Sequence, residues 1–301
     1  MNNKIDVSIV LAVYNEEESI ARELEIIKGA MSKSKYNYEI IVVDDGSTDN
    51  TANILKGAEG IMLIRNRRNK GSGGSRKIGT IAARGRIVVW TDSDLTYPNH
   101  LIPQLAEALE KSNCRQIVGS RMSEKGTWKL LRSPAKYVLK NLASFLTKTE
   151  IPDLNSGFRA FYTQDGLKLI HLIPDGFSCV STMTLSFLCN DMDVGYMAIE
   201  YKKRVGKSKF HPLRDSYAYF LQIIRMVTYF QPLRVFVPLS AGIFMFTLVK
   251  NIIDLAVTKD TQQTDIVGYF ISFIIFAIGL LADLIVAYNK RTTLLSKEDL
   301  S

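Results

Sequence analysis

Cysteine is scarce in this chain, and its three copies, Cys114, Cys179 and Cys189, share no metal-ligand spacing. That argues against a zinc centre and reads as reduced interior thiols facing a cytosolic environment. An apolar leader is missing too: Met1, Asn2, Asn3 and Lys4 run straight into a strand-like segment, so the first domain is expected to stay in the cytosol. Acids are missing from Gly60 to Thr91, the densest positive segment, which holds Arg65, Arg67, Arg68, Lys70, Arg76, Lys77, Arg84 and Arg86. Inside that segment Gly71, Gly73 and Gly74 invite a phosphate-loop reading, but both standard templates fail. A Walker loop needs G-x-x-x-x-G-K and then Ser or Thr, and the dinucleotide fingerprint needs a third glycine where Arg76 stands. No aromatic is interleaved with these basic residues, which counts against nucleic acid. A basic helix start facing a diphosphate is the expectation, with a solvated basic helix as the alternative.

What is present is ordinary for a folded protein: 301 residues, 47% hydrophobic and 23% charged. The net charge of +8 fits nucleic acid, an anionic membrane surface or phosphorylated small molecules, and only its distribution can decide. Val7–Val13 reads as a buried strand, followed by a helix through Met31 whose first turn carries Glu16, Glu17 and Glu18. The plan repeats with a strand at Tyr38–Val43, a turn at Asp44-Asp45-Gly46-Ser47 and a helix at Thr51–Lys56. Ile61–Ile64 and Ile87–Trp90 are two more strands, with the end of a third helix at Gly79–Arg84 between them. Strands alternating with helices predict an α/β fold with a parallel sheet and right-handed crossovers. Asp92 and Asp94 then fall at the carboxyl end of the fourth strand, where open α/β sheets bind ligands. Two carboxylates one residue apart can turn toward one hard cation and leave positions for phosphate oxygens, which makes a nucleotide diphosphate the expected substrate. A turn with two structural aspartates is the bland alternative.

Seven short motifs occur in a telling order: A-V-Y-N-E (Ala12 to Glu16), D-D-G-S-T-D-N-T (Asp44 to Thr51), N-K-G with A-x-G (Asn69 to Gly85), T-D-S-D-L (Thr91 to Leu95), G-S-R (Gly119 to Arg121), N-S-G-F-R (Asn155 to Arg159) and R-V-G-K-S-K (Arg204 to Lys209). In these the chain resembles the inverting family 2 glycosyltransferases, in the polyprenyl-phosphate branch with dolichyl-phosphate mannose synthases and bactoprenol glucosyl transferases. The resemblance implies a GT-A, Rossmann-like nucleotide-sugar-binding domain. It implies nucleotide-sugar contacts from Ala12, Tyr14, Glu16, Asp44, Asp45, Arg76, Asp92, Ser156, Arg159 and Lys209, with Asp44 and Tyr14 near the base and ribose. It places Mg²⁺ or Mn²⁺ on Asp92 and Asp94, the lipid phosphate on Arg121 and Arg132, and the diphosphate opposite Arg204. Relatives often carry Gln where this chain has Thr96, and Pro where it has Ala12, so a third metal ligand is not specified. Members that glycosylate a hydroxyl place an acid in a later acceptor helix, whereas Gly176–Asn190 contains none. An alcohol must lose a proton as it attacks, but a lipid monophosphate, with a second pKa near ~6, is already largely dianionic.

Beyond Arg214 the composition changes. Residues 211–234 mix aromatic, aliphatic and polar side chains as an interfacial helix would. Val235–Val257 and Ile266–Tyr288 are each long enough to cross a bilayer, although Lys250 and Asp254 interrupt the first. Arg225, Arg234, Lys290 and Arg291 flank the outer ends, which by the positive-inside rule puts both the catalytic domain and the tail in the cytosol. The expected organisation is a catalytic domain over 1–210, the interfacial helix over 211–234, a two-helix anchor over 235–288 and a tail over 289–301. The expected partners are a nucleotide-diphosphate sugar, a polyprenyl phosphate and the membrane, without nucleic acid; a homo-oligomer is compatible with this. A processive polysaccharide synthase would share the fold but usually has Q-x-x-R-W, and here Gln222 and Arg225 are followed by Met226. A non-catalytic membrane scaffold would not need the aspartates and arginines together.

Overall fold

The computed structural model describes residues 4–124, 144, 149–176, 178–202, 204, 221, 224–225, 228–229 and 231–298. Arg132, Lys209 and most of the stretch expected as an interfacial helix lie outside them. The chain divides into two compact units, Met1–Ile223 and Ile224–Ser301.

The first unit is organised by a seven-stranded sheet of order β3-β2-β1-β4-β6-β5-β7. Its strands are β1 Val7–Val13, β2 Tyr38–Asp44, β3 Met62–Arg65, β4 Ile87–Thr91, β5 Gln116–Glu124, β6 Arg159–Tyr162 and β7 Val194–Tyr201. Uninterrupted apolar runs in β1 and β4 are buried on both faces, as parallel strands covered by helices must be. The first four strands are parallel, as the sequence predicts. The second half departs from it: β6 runs antiparallel to both β4 and β5, so the sheet is mixed. Most of the connection from β5 to β6 lies outside the described residues, and the sequence pattern contains no signal for that reversal.

The helices are α1 Ile20–Met31, α2 Thr51–Lys56, α3 Gly71–Ala82, α4 Ile102–Lys111, α5 Thr163–Leu169 and α6 Cys179–Cys189. One core lies under α1 and α4, built from Ile9, Leu11, Leu24, Ile27, Val89, Leu105 and Phe158. The opposite core, under α3 and α6, holds Val10, Val43, Trp90, Phe161, Met183 and Phe187. Glu16, Glu17 and Glu18 precede α1 instead of forming its first turn. Asn15 adopts a left-handed φ of 52°, and its side chain accepts a hydrogen bond from Thr48 N at 2.8 Å. The Glu16 N–H donates to Thr51 Oγ1 at 2.8 Å, so this segment is spent joining the first two strand ends before a helix can start.

The second unit is a helical hairpin of α7 Leu233–Thr258 and α8 Gln263–Glu298. Both are long and apolar enough to cross a membrane, and most of their apolar side chains, Phe246 and Phe273 among them, are exposed. Close packing uses small residues: a Cβ on Gly268 would lie 2.3 Å from Thr247 Oγ1, and one on Gly279 2.5 Å from Phe236 Cβ. The charges that interrupt the first span pair within the hairpin. Lys250 Nζ lies 2.5 Å from Asp254 Oδ2 and 2.7 Å from Asp265 Oδ1.

Candidate active site

Strands β2 and β3 extend the sheet to one side of β1 while β4 extends it to the other, so the crevice between β1 and β4 is a topological switch point. A cavity of about 310 Å³ opens there, lined from the β1 end by Ala12, Tyr14 and Glu16 and from the β4 end by Asp92, Ser93 and Asp94. Asp45, Arg76, Tyr97, Asn155, Gly157 and Arg204 also line it.

Two arginines hold the paired aspartates. Arg76 projects from α3, buried over the Trp90 ring, with Nη2 2.5 Å from Asp92 Oδ1. Arg204 bridges Glu16 and Asp94, its Nη1 3.3 Å from Asp94 Oδ2. The other Asp94 oxygen accepts from Thr96 Oγ1 at 2.5 Å and from the Thr96 N–H at 3.2 Å. The residue that replaces the expected glutamine therefore fixes Asp94 and leaves Oδ2 turned to the arginine. Burial, and then the charge of Asp92, push the Asp94 carboxyl up to about 6.

Several expected residues are placed elsewhere. Asp44 is buried, accepts from Ser47 N at 2.9 Å and pairs with Arg65 Nε at 3.1 Å, and it does not line the cavity. Asp45 does line it, but both its oxygens are engaged: Oδ1 accepts from Lys70 N at 2.9 Å and Asn66 Nδ2 at 2.7 Å, and Oδ2 from Gly71 N at 2.8 Å. Two further amides of α3, on Gly73 and Gly74, donate to Asp175 O at 2.8 and 3.1 Å. The helix start expected to face a diphosphate is thus capped by a carboxylate and a carbonyl. Its glycines admit the 174–176 segment, since a Cβ on Gly73 would lie 1.9 Å from Pro174 O.

Arg159 and Ser156 are fully buried away from the cavity lining. The Arg159 guanidinium donates to Val180 O at 2.6 Å, Thr184 Oγ1 at 3.0 Å and Ser156 O, fastening β6 to α6. Burial, reinforced by the charge of Arg76, brings it down to about 10. Arg121 makes a two-pronged pair with Asp153 at 2.6 and 2.8 Å and also does not line the cavity. Sequence reading missed Tyr97, whose hydroxyl accepts from Gly157 N at 2.7 Å, and the buried pair Glu23 and Asn99. Burial pushes the Glu23 carboxyl up to about 7, despite hydrogen bonds from Asn99 and Leu95. A signal for Glu23 existed: it stands between Ile20 and Ile27 on the apolar stripe of α1.

The family model described as glycosyl transferase family 2 matches residues 8–167. The chain belongs to that family. A second model, the GtrB C-terminal hairpin, matches residues 231–288. Among curated relatives, an undecaprenyl-phosphate 4-deoxy-4-formamido-L-arabinose transferase of Pseudomonas fluorescens is 30% identical over 235 residues, 76% of this chain and 66% of that one. A dodecaprenyl-phosphate galacturonate synthase of Rhizobium johnstonii is 27% identical over 68% of this chain and 62% of its own length. The chain thus spans somewhat under two thirds of these relatives. Glucosyl-3-phosphoglycerate synthase from Mycobacterium tuberculosis, solved with Mn²⁺, uridine diphosphate and glucosyl-3-phosphoglycerate, superposes with a TM-score of 0.56 at 22% identity, over 74% of this chain and 80% of that one. That likeness establishes a GT-A-like fold for the family 2 domain.

Proposed function

We propose that this protein transfers a hexose from a nucleotide-diphosphate sugar, of the UDP-glucose or GDP-mannose type, to a polyprenyl phosphate with inversion at the anomeric carbon. One observation carries the reading: among the described residues the cavity at the switch point is lined by four carboxylates, Glu16, Asp45, Asp92 and Asp94, and two guanidiniums, Arg76 and Arg204. A diphosphate entering so acidic a pocket needs a cation. The donors suit a hard divalent ion, Mg²⁺ or Mn²⁺, since Asp92 and Asp94 offer oxygen alone. Asp92 and Asp94 are two carboxylates only, so coordination positions stay available to phosphate oxygens. Bound there, such an ion would neutralise charge on the departing diphosphate.

The protein's own residues supply the remainder. Arg204, which pairs with Glu16 and Asp94, would turn to an entering diphosphate, while Arg76 holds Asp92 in place. The 180-side wall offers Gly176 and Val180, and the helix behind it carries no acid. An already ionised phosphate oxygen attacks the anomeric carbon in line, the glycosidic C–O bond to the nucleotide breaks, and no proton is removed. A donor linked α then gives a β product. The paired-helix match and the relatives' lipid substrates support an anchor over 235–288 with the catalytic domain, 1–210, on the cytosolic face.

The test uses membranes containing the full chain, labelled UDP-glucose and GDP-mannose, and undecaprenyl phosphate or undecaprenol. Label should enter the lipid only with the phosphate. Transfer to the free alcohol at a comparable rate would overturn the assignment.

A further inference from the structure

The segment that carries the paired aspartates is hydrogen-bonded to a carboxylate outside the cavity lining. Glu23, on α1, is 1% exposed and is surrounded by an otherwise apolar helix face. Each of its oxygens accepts a hydrogen bond from the segment after β4. Oε2 takes the Leu95 N–H at 2.9 Å, and Oε1 takes Asn99 Nδ2 at 2.5 Å. Asn99 in turn accepts from Thr91 Oγ1 at 2.5 Å and places Nδ2 3.4 Å from Asp92 O. One side chain therefore grips the turn at both ends: the last residue of the strand through Asn99, and the residue after Asp94 directly.

The turn needs holding. Leu95 sits at φ 64°, in the left-handed region where a branched-chain residue is disfavoured. Freed from Glu23, Leu95 would relax toward negative φ, and the adjoining peptide would carry Asp94 with it. Packing alone does not account for the residue, because a leucine would fill the same interior position without burying a carboxylate. We propose that Glu23 is a positioning residue: through Leu95 and the Asn99–Thr91 relay it keeps the 92–95 turn in the conformation that presents Asp92 and Asp94 together to a divalent cation. This rests on the metal-assisted reading above, and it reaches outside the cavity to a residue of α1.

The chemistry of the contact provides its own control. Glu23→Gln leaves one acceptor where two are used, so either Leu95 N–H or the Asn99 amide faces another donor. Glu23→Gln combined with Asn99→Asp exchanges acid and amide across the contact: the introduced amide accepts from Leu95 and donates to the introduced acid, which still accepts from Thr91. Glu23→Leu fills the space and removes both bonds.

Full-length wild type and the three variants, in detergent, are compared by Mn²⁺ titration with electron paramagnetic resonance, with UDP or GDP present, and by amide hydrogen exchange of a peptide spanning 91–99. Removing the support of metal-binding side chains typically costs about ten- to hundredfold in affinity. Glu23→Leu should raise the Mn²⁺ Kd by about tenfold or more and speed exchange in 91–99, while its thermal midpoint is kept. Glu23→Gln should fall between, and the double variant should return both readouts to near wild type. Wild-type Kd and wild-type exchange in a folded Glu23→Leu, or a double variant no better than Glu23→Gln, would overturn the proposal. If the wild type binds no Mn²⁺, the metal-assisted reading fails and so does the cation part of this one, while the exchange arm still decides whether Glu23 holds the turn.

Discussion

Two charged stretches lie side by side in the chain, and the fold gives them different surroundings. The basic run from Arg65 to Arg86 holds eight cations and no acid, yet it is spent largely on internal pairing. Arg65 meets Asp44, Arg76 meets Asp92, Lys77 meets Asp175, Arg84 meets Glu39 and Arg86 meets Glu110. The short acidic pair at 92 and 94 is paired too, with Arg76 and Arg204, but on a cavity wall. Charge density along a sequence therefore says little about where the field acts, because the neutralising acids arrive from β2, the end of β4, α4 and the 175 segment. A short motif at a strand end says more, because the strand end is placed by the sheet.

The comparison breaks most sharply at Asp94. Asp94→Asn keeps the side-chain volume and an oxygen able to accept from Thr96, but removes the charge from the wall where a cation is proposed. Turnover should fall on the order of a thousandfold, with nucleotide binding weakened and the thermal midpoint unchanged or higher, since a buried carboxylate near Asp92 is itself costly. Steady-state assays of lipid glycosylation with and without excess EDTA check it. Full activity in EDTA would remove the cation from the mechanism.

A smaller effect is expected at Gly73, and it separates two explanations of the glycine-rich helix start. If the glycines let a phosphate approach, Gly73→Ala should spare stability and raise the KM for the nucleotide sugar. The structure instead puts backbone there: the new Cβ would lie 1.9 Å from Pro174 O and 2.8 Å from Cys179 Cβ. Overpacking of that kind costs about 1–3 kcal/mol, so the thermal midpoint of the full chain should drop by several degrees with activity lost in proportion to unfolding.

Gly73 also marks the limit of legibility. The strands of the parallel half were readable because Val7–Val13 and Ile87–Trp90 are apolar runs too short for helices, and the aspartates followed from their position at a strand end. What stayed hidden depends on contacts between distant segments. Asp175 O caps α3 across a hundred residues of chain, and β6 reverses direction without a local sign. Arg159 reads as a site residue by motif, but its hydrogen bonds go to the carbonyls of Val180 and Ser156 inside the core. Glu23 is polar on an apolar stripe, which could have been noticed; that its partner is the Leu95 amide could not.

The smallest effect belongs to the outer end of the basic run. Arg84 is 65% exposed on its side chain, and its Nε and Nη2 reach Glu39 Oε2 at 2.9 and 2.7 Å. Glu39 keeps two further donors without it, Ser8 Oγ at 2.7 Å and the residue 84 backbone N–H at 2.7 Å. Burial raises the Glu39 carboxyl, but these hydrogen bonds and the arginine outweigh it and hold the group below the ordinary carboxylate range. With the folded value below the unfolded one, the unfolded chain binds more protons in that window. The stability from this contact is therefore present above the unfolded pKa and is lost as pH falls through the folded one. Arg84→Ala should cost at most about 1 kcal/mol near neutral pH, as exposed ion pairs do. In thermal melts the gap from wild type should be open at pH 7 and close as the pH falls through the acid range. A gap that persisted at low pH would mean that Arg84 acts through packing of its aliphatic stem and not through charge.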